Sequence, residues 1–477
     1  MTRYTSSPML RAVATGALAA LLGGCASFSP DGGLDAVSAM TSARTGQDLQ
    51  LTQAKHDSGA TQAEVARLLG APLTADGAVR VALLNNRGLR ASLAGLGVAE
   101  ADLVQAGRMR NPGLSFSRMS GGGETEIERG VMFDLVGLLT IPIRRDIEAR
   151  RFQGAKLAAA MDAVRLAADT RKAWFNAVAA AQSAQYAEQV REAAQASAEL
   201  ARRMARAGNL SALDGAREQV FSAEATAQLA RARHQATAAR EQLARLMGVW
   251  GAQTAFTLLE RLPDLPAAPR DGDNVESLAM RQRLDVQLAK LDAQATARAL
   301  GLSKATGFVN VLDAGYVNTS KTGAPREQGY EIELVLPIFD WGGARVAKAE
   351  ALYMQSVHRT AHAATSARSQ VREAYSAYRT NYDLARHYRD EIVPLQKKIS
   401  EETLLRYNGM LIGVFELLAD ARAQITRVTA SIEAQRDFWI AETALQAAIN
   451  GSGGSAAAAA SVVSSAAGSV DAAAPEH

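Results

Sequence analysis

Y-E-I-E-L-V-L-P-I-F-D-W-G-G-A-R, residues 330–345, changes its periodicity halfway along. Tyr330, Ile332, Leu334 and Leu336 alternate with Glu331 and Glu333, the period-two pattern of a strand with one apolar and one wet face. Pro337 ends that pattern and Gly342–Gly343 supplies a flexible corner. From Ala344 the period is helical, and no glycine interrupts it until Gly409. At 1.5 Å per residue the run is on the order of 95 Å long, where an ordinary globular helix has about 11–12 residues. A weaker copy of this junction precedes it, where Val131–Pro142 leads into Ile143 and a second long, glycine-poor and proline-free run. The chain is organised around the two junctions.

The 477 residues are 48% hydrophobic but only 5% aromatic, with a net charge of +3. Alanine-rich, charged and glycine-poor sequence favours long packed helices over compact globular domains. The charge is too small to imply nucleic acid, and the arginines lie beside Glu and Asp along the helices. No G-x-S-x-G, P-loop or dinucleotide-binding fingerprint occurs, which argues against an enzyme.

Residues 1–24 read as a secretory signal: Arg3 and Arg11 are basic, and Ala12–Leu22 is apolar but too short to span a bilayer. The signal ends in L-G-G-C at Cys25, the only cysteine in the chain. A lone cysteine in an exported protein cannot form an internal disulfide. Its position after small residues resembles a bacterial lipobox, which implies a covalent N-acyl/S-diacylglycerol lipid on Cys25. The other reading is an ordinary signal with a cysteine near its cleavage site. Ala26, where an inner-membrane retention signal would place Asp, implies the outer membrane as destination.

The rest of the chain divides into a strap at 25–73, a first repeat at 74–251, a linker at 252–273 marked by Pro263, Pro266 and Pro269, a second repeat at 274–451, and a low-complexity Ala/Ser-rich tail at 452–477, expected to be disordered. Each repeat holds a helix, a β-hairpin (112–140 and 307–339) and a long helical hairpin (143–250 and 343–450). Thr74 has the position of an N-cap. In the first repeat the second strand is expected at about 127–138; in the second, the strands are expected at 308–317 and 330–337. Gly208 matches Gly409, Trp174 matches Tyr375 and Gly248 matches Gly451 at nearly one offset, the mark of an internal duplication.

No segment is long and apolar enough for a transmembrane helix, so any membrane element is made of strands. Four amphipathic strands per chain fall short of the about eight that the smallest membrane barrels need, so closure has to join chains. Alternation would then put Ile332, Leu334 and Leu336 against lipid and Glu331 and Glu333 in the lumen. The rival is a periplasmic coiled-coil scaffold lipoprotein with two incidental hairpins and no pore.

N-P-G-L at 111–114, L-P-I-F-D-W-G-G-A-R at 336–345, R-Y-N-G at 406–409 and the duplication, in this order, resemble the outer-membrane factor family, the TolC-like exit ducts of tripartite efflux pumps and type I secretion systems. The resemblance implies a mainly α fold with a small membrane β-barrel, built as a homotrimer with a twelve-stranded barrel and an α-helical tunnel. It implies an exit duct in the outer membrane of a Gram-negative bacterium, working with a periplasmic adaptor (membrane fusion) protein and an inner-membrane transporter. Efflux and type I protein secretion both remain open. Ile141-Pro142-Ile143 runs into Arg144-Arg145 without the Gly-Gly corner, a departure from the pattern of the second junction.

The resemblance also points to the helical turns. Gly208, Asn209, Leu210 and Ser211 in the first, and Gly409, Met410 and Leu411 in the second, resemble adaptor-docking tips, with both glycines providing the positive φ of a reversal and Leu210 and Leu411 exposed. The other reading is that these apolar residues seal the trimer. Asp214, Glu218, Glu416 and Asp420 are candidates for an acidic ring at a tunnel constriction, against a reading as solvated helix faces or interhelical ion pairs. His358 and His362, at i and i+4 with Met354 one turn earlier, are weak candidates for a soft metal; Arg359 replaces the Glu of H-E-x-x-H and no third ligand is evident. No resident metal or other cofactor is expected. Pro394 is expected to break and kink the helix of the second repeat.

Overall fold

The computed structural model describes residues 27–49 and 58–452. The secretory signal, Cys25 and the tail from residue 453 onward lie outside the described residues. In chain order the described elements are α1 (Leu34–Thr45), α2 (Ser58–Leu69), α3 (Ala75–Asn85), α4 (Arg87–Ala106), β1 (Gly113–Gly121), β2 (Glu124–Asp134), α5 (Leu135–Arg206) and α6 (Ala212–Met247). After a short 3-10 turn follow α7 (Val275–Gln282), α8 (Leu284–Ala305), β3 (Leu312–Lys321), β4 (Glu327–Leu334), α9 (Gly343–His387), α10 (Val393–Asn408) and α11 (Val414–Asn450). Among the described residues no helix is long and apolar enough to cross a membrane.

The four strands form one antiparallel meander in the order β1-β2-β3-β4. Gly122 and Gly123 join β1 to β2 with φ of 64° and 89°, the two positive values that a tight hairpin turn demands. The hairpins meet through β2 and β3, with Val131 opposite Tyr316 and Phe133 opposite Ala314.

Both strand-to-helix junctions differ from the sequence expectation. β2 stops at Asp134, and residues 135–142 are helical. The Asp134 carboxylate accepts the N–H of Gly137 at 2.5 Å, and the Arg144 guanidinium donates to the Gly137 carbonyl at 2.7 Å, so side chains begin this helix without a glycine corner. Pro142 lies inside α5, where its missing N–H removes the bond to Leu138 four residues earlier. In the second hairpin β3 begins at Leu312, not at 308, and β4 ends at Leu334, leaving Leu336 outside the sheet. There Asp340 accepts the Gly342 N–H at 2.8 Å, and Gly342 takes φ 75° with the Gly307 carbonyl 2.7 Å from where a Cβ would stand. Gly342 is therefore the required glycine of the pair; a Cβ on Gly343 would meet nothing within 4 Å.

Pro394 does not break its helix. Five residues, Tyr388–Ile392, form a π-helical turn in which Val393 N–H bonds to the Tyr388 carbonyl, and both flanking residues stay right-handed helical. Widening the helix by one residue per turn accommodates a residue that has no N–H to give.

The chain forms two compact units. One holds the sheet and comprises, among the described residues, 27–36 with Ser92–Ala159 and Val286–Ala363. The other comprises the described residues of Val37–Ala91, Ala160–Asp285 and 364–452. The second is built on an aromatic core. The buried Trp174 packs edge-on to Phe175, which stacks on Trp439 with centroids 5.3 Å apart, and Phe438 extends the row to Tyr378 and Tyr382. The polar tips of these rings hold irregular chain: Trp174 donates to the Leu73 carbonyl (2.8 Å), Trp439 to that of Pro263 (3.0 Å) and Tyr382 to that of Pro266 (3.1 Å). The proline-rich 252–273 segment is thus tied down along its length, and Leu73 N–H bonds to Thr257 in a parallel bridge with Leu258.

The long helices α6 and α11 end against the starts of other helices. Gly248 and Gly451 close them in the left-handed conformation. Asn85 donates to the carbonyl of Gly248 and Asn86 to that of Leu246. At the other end Arg283, 1% exposed, donates to the Ala448 carbonyl (2.9 Å), to Gln370 (2.8 Å) and to both oxygens of Asp285. Such full pairing is what makes a buried guanidinium tolerable.

Candidate functional site

Two regions present chemistry to the outside: the turns between the long helices and the sheet. The α5–α6 turn uses its glycine as the sequence suggests. Gly208 has φ 79°, and Asn209 N–H bonds back to the Met204 carbonyl at 2.9 Å. Ser211 then caps α6, accepting the Asp214 N–H at 3.1 Å while its hydroxyl donates to the Asp214 carboxylate at 2.6 Å. Asp214 also pairs with Arg217.

The α10–α11 turn is made differently. Gly409 has φ −78°, and the left-handed residue is Met410, with φ 58°. Leu411 N–H bonds to the Arg406 carbonyl, the same five-residue return as Asn209 to Met204, so the reversal falls one residue past the glycine. A non-glycine side chain in this conformation costs about 1–2 kcal/mol. Met410 is 93% exposed and Leu411 77%, so this strained turn presents two large apolar side chains to solvent. In the first turn Leu210 is half-buried, contrary to expectation, and the exposed leucine is Leu213, at 63%. One helical turn of register separates the two, and a sequence read without the cap at Ser211 does not resolve it.

The four acidic candidates do not form one group. Glu218 is buried, pairs with Arg422 at 2.9 Å and accepts the Ser197 hydroxyl at 3.0 Å, while the Arg422 guanidinium lies over the Phe221 ring. Asp420 accepts the amide of the buried Gln396 at 2.7 Å. These two are internal ties, as the ion-pair reading would have it, and Asp214 is bound to the Ser211 cap in the first turn of α6; of the four only Glu416 is exposed with no such partner among the described residues. Glu218 is the buried partner and the Arg422 side chain is 41% exposed, so removing Arg422 strands a buried carboxylate, and the pair holds the first helical hairpin to α11. On α5, Arg203 donates to Glu199 and keeps its carboxyl below the usual range.

Register divides the sheet into two faces. On one, Leu114, Val131, Tyr316 and Tyr330 form a cross-strand row, with Phe133, Ala314 and Ile332 in the next row toward the helices and Leu312 and Leu334 beyond. The opposite face carries Glu126, Glu128, Asp134, Asp313, Glu331 and Glu333, together with Gly130 and Gly315 and three apolar residues, Met119, Met132 and Val317. One cation, Lys321, joins them and pairs with Glu126 at 3.2 Å. β4 is exposed on both faces, with Tyr330 at 91% and Ile332 at 73%. Two aromatic pairs accompany the sheet: Tyr316 with Tyr330 (6.3 Å) in the middle of the apolar face, and Phe308 with Trp341 (5.8 Å) outside the strands, where the second hairpin adjoins the helices.

Among the described residues no group of three or more His, Cys, Asp or Glu is placed to hold a metal. His358 and His362 sit on an exposed face of α9.

No protein-family model matches the chain, and no curated protein matches it. Solved structures do. The transmembrane channel CusC superposes with a TM-score of 0.66 at 18% identity, covering 79% of this chain and 92% of its own. The outer-membrane channel OprN gives 0.66 at 18% identity, covering 86% and 95%. The Campylobacter jejuni outer-membrane channel CmeC gives 0.65 at 14% identity, covering 85% and 90%. The chain has the fold of these channels.

The strained turn leads to a test. Met410→Gly removes the left-handed penalty and should raise resistance to denaturant by about 1 kcal/mol; Gly409→Ala, at an ordinary φ, should leave it within about 0.5 kcal/mol. Chemical unfolding of the purified chain followed by circular dichroism measures both, and a destabilised Met410→Gly would show that the Met410 side chain is packed in the native turn.

Proposed function

We propose that this chain is the outer-membrane exit duct of a multicomponent exporter. Three copies close a twelve-stranded barrel, and their long helices continue it as a tunnel through the periplasm. The observation that carries the reading is the two-faced sheet. An apolar band with an aromatic pair across it is the lipid side of a membrane barrel, and a carboxylate-lined opposite face suits only a water-filled interior. Neither the helices nor a four-stranded sheet crosses a bilayer alone, so the barrel is shared between chains. The fold common to the outer-membrane channels supports the same reading, as does the internal duplication read from the sequence.

Under this reading Ile332 and Leu334 face lipid and Glu331 and Glu333 face the lumen. The turns at Gly208–Ser211 and Gly409–Leu411 are the tips that meet a periplasmic adaptor, which couples the duct to an inner-membrane transporter. Leu213, Met410 and Leu411 are its apolar contacts. Glu416 is the acid left free to line a constriction. Cys25 carries the lipid that anchors the mature N-terminus in the outer membrane.

The purified chain should form an SDS-resistant oligomer with a defined single-channel conductance; a chain that gives no conductance in planar bilayers is not a duct. Leu334→Arg should impair assembly by about 2–4 kcal/mol relative to Glu333→Arg, because only the first puts charge into hydrocarbon near the midplane. Equal assembly of the two would defeat the assignment of faces. Leu213→Asp/Leu411→Asp should leave the oligomer intact while costing on the order of 2–4 kcal/mol of adaptor binding; normal crosslinking and export would remove the docking role, and collapse of the oligomer would make these leucines its seal. Metabolic palmitate labelling should be lost in Cys25→Ala, with the barrel still inserting through its own apolar belt; a label that persists would place the lipid elsewhere.

A further inference from the structure

The apolar face of the sheet is interrupted by charge only in two successive rows near its turn end. Toward the hairpin turns, the row beyond Tyr316 and Tyr330 carries Arg129, paired with Phe116 and Asn318, and the next carries Arg118, paired with Ile127. The two arginines stand on adjacent strands as diagonal neighbours, about 7–8 Å apart at the backbone. Both are exposed. Neither guanidinium has an ion-pair or hydrogen-bond partner among the described residues, and the carboxylates of the sheet all project from the other face. Lys321, by contrast, lies on the acidic face and is paired there.

An arginine on the lipid side of a barrel costs about 2–4 kcal/mol at the midplane and about 0–1 kcal/mol near the interface. Their place just past the aromatic pair puts Arg118 and Arg129 at headgroup depth, where the charge is tolerated and meets anions. Two guanidinium forks side by side match phosphate oxygens, which they can each grip through two parallel N–H groups. Phe116, next to Arg129, offers an apolar surface for the start of an acyl chain. The helices continue from the opposite end of the sheet, so within the exit-duct reading the turn end faces outward.

We propose that Arg118 and Arg129 form a binding site for the phosphate groups of lipid A in the outer leaflet, one site per chain, and so fix the depth and the lipid neighbours of the barrel. The inference rests on the exit-duct reading for its membrane and adds a ligand to the barrel's outer surface.

The full-length chain, purified in neutral detergent and immobilised, is exposed to diphosphorylated lipid A and to the same lipid with its phosphates removed. The wild type should retain the phosphorylated form about tenfold better or more, the weight of one charge-assisted hydrogen bond. Arg118→Gln/Arg129→Gln should lose that preference, while Arg326→Gln, which removes a charge from the β3–β4 turn, should keep it. If the double glutamine variant fails to form the SDS-resistant oligomer, Arg118→Lys/Arg129→Lys takes its place: it keeps the charge without the fork and should show a reduced preference. A wild type without preference, or a preference undiminished in the arginine variants, overturns the site. A chain that conducts in bilayers yet shows no preference defeats this inference alone; a chain that forms no channel defeats the exit-duct reading and this site with it.

Discussion

The pairing of β2 with β3 is the contact on which the rest of the molecule depends. These strands come from hairpins separated by the whole of α5, α6, α7 and α8, and their hydrogen bonds make one sheet out of two unstable ribbons. The pairing also sets the faces. With Val131 opposite Tyr316, the aromatic, leucine and isoleucine side chains of both hairpins fall on one side and the carboxylates on the other, where Met119, Met132 and Val317 join them. A slip of one residue would exchange them, placing Glu128 and Asp313 among Phe116 and Ile332.

In the second unit the corresponding work is done by side chains that finish helices. The last carbonyls of α6 and α11 receive donors from Asn85 and Asn86, at the junction of α3 and α4, and from Arg283, just before α8. Ring N–H and O–H groups of Trp174, Trp439 and Tyr382 do the same for irregular segments. The core is apolar in its body and polar at its rim, so strap, linker and helices are held in one arrangement by directional bonds.

Much of this was legible in the sequence. Strict alternation at 330–334, helical periodicity beyond 344 and the mostly helical build each rest on local patterns that tertiary contacts do not override. What was not legible depended on side chains arriving from elsewhere or on single dihedral angles. Glu218 reads as a surface acid until Arg422, far along the chain, is brought against it. Asp134 and Arg144 start a helix over residues whose apolar, β-branched composition favours a strand. The R-Y-N-G motif points to Gly409 for the reversal, yet the hydrogen-bond return from Leu411 assigns it to Met410. Leu213 shows the same limit: its exposure follows from the Ser211 cap, a signal present in the sequence as Ser followed three residues later by Asp.

The meander has two open sides. Among the described residues β1 pairs only with β2, and β4 only with β3, which leaves two outer rows of backbone N–H and C=O groups without a strand partner there. In hydrocarbon such rows are prohibitive, and in water they invite indiscriminate pairing. Under the exit-duct proposal a single copy is an incomplete object in both solvents, and its stability depends on the concentration of its fellows. On the same proposal biogenesis becomes a second-order problem: the time between export and association is the interval of greatest danger, and whatever escorts the newly made chain has to shield strand edges first.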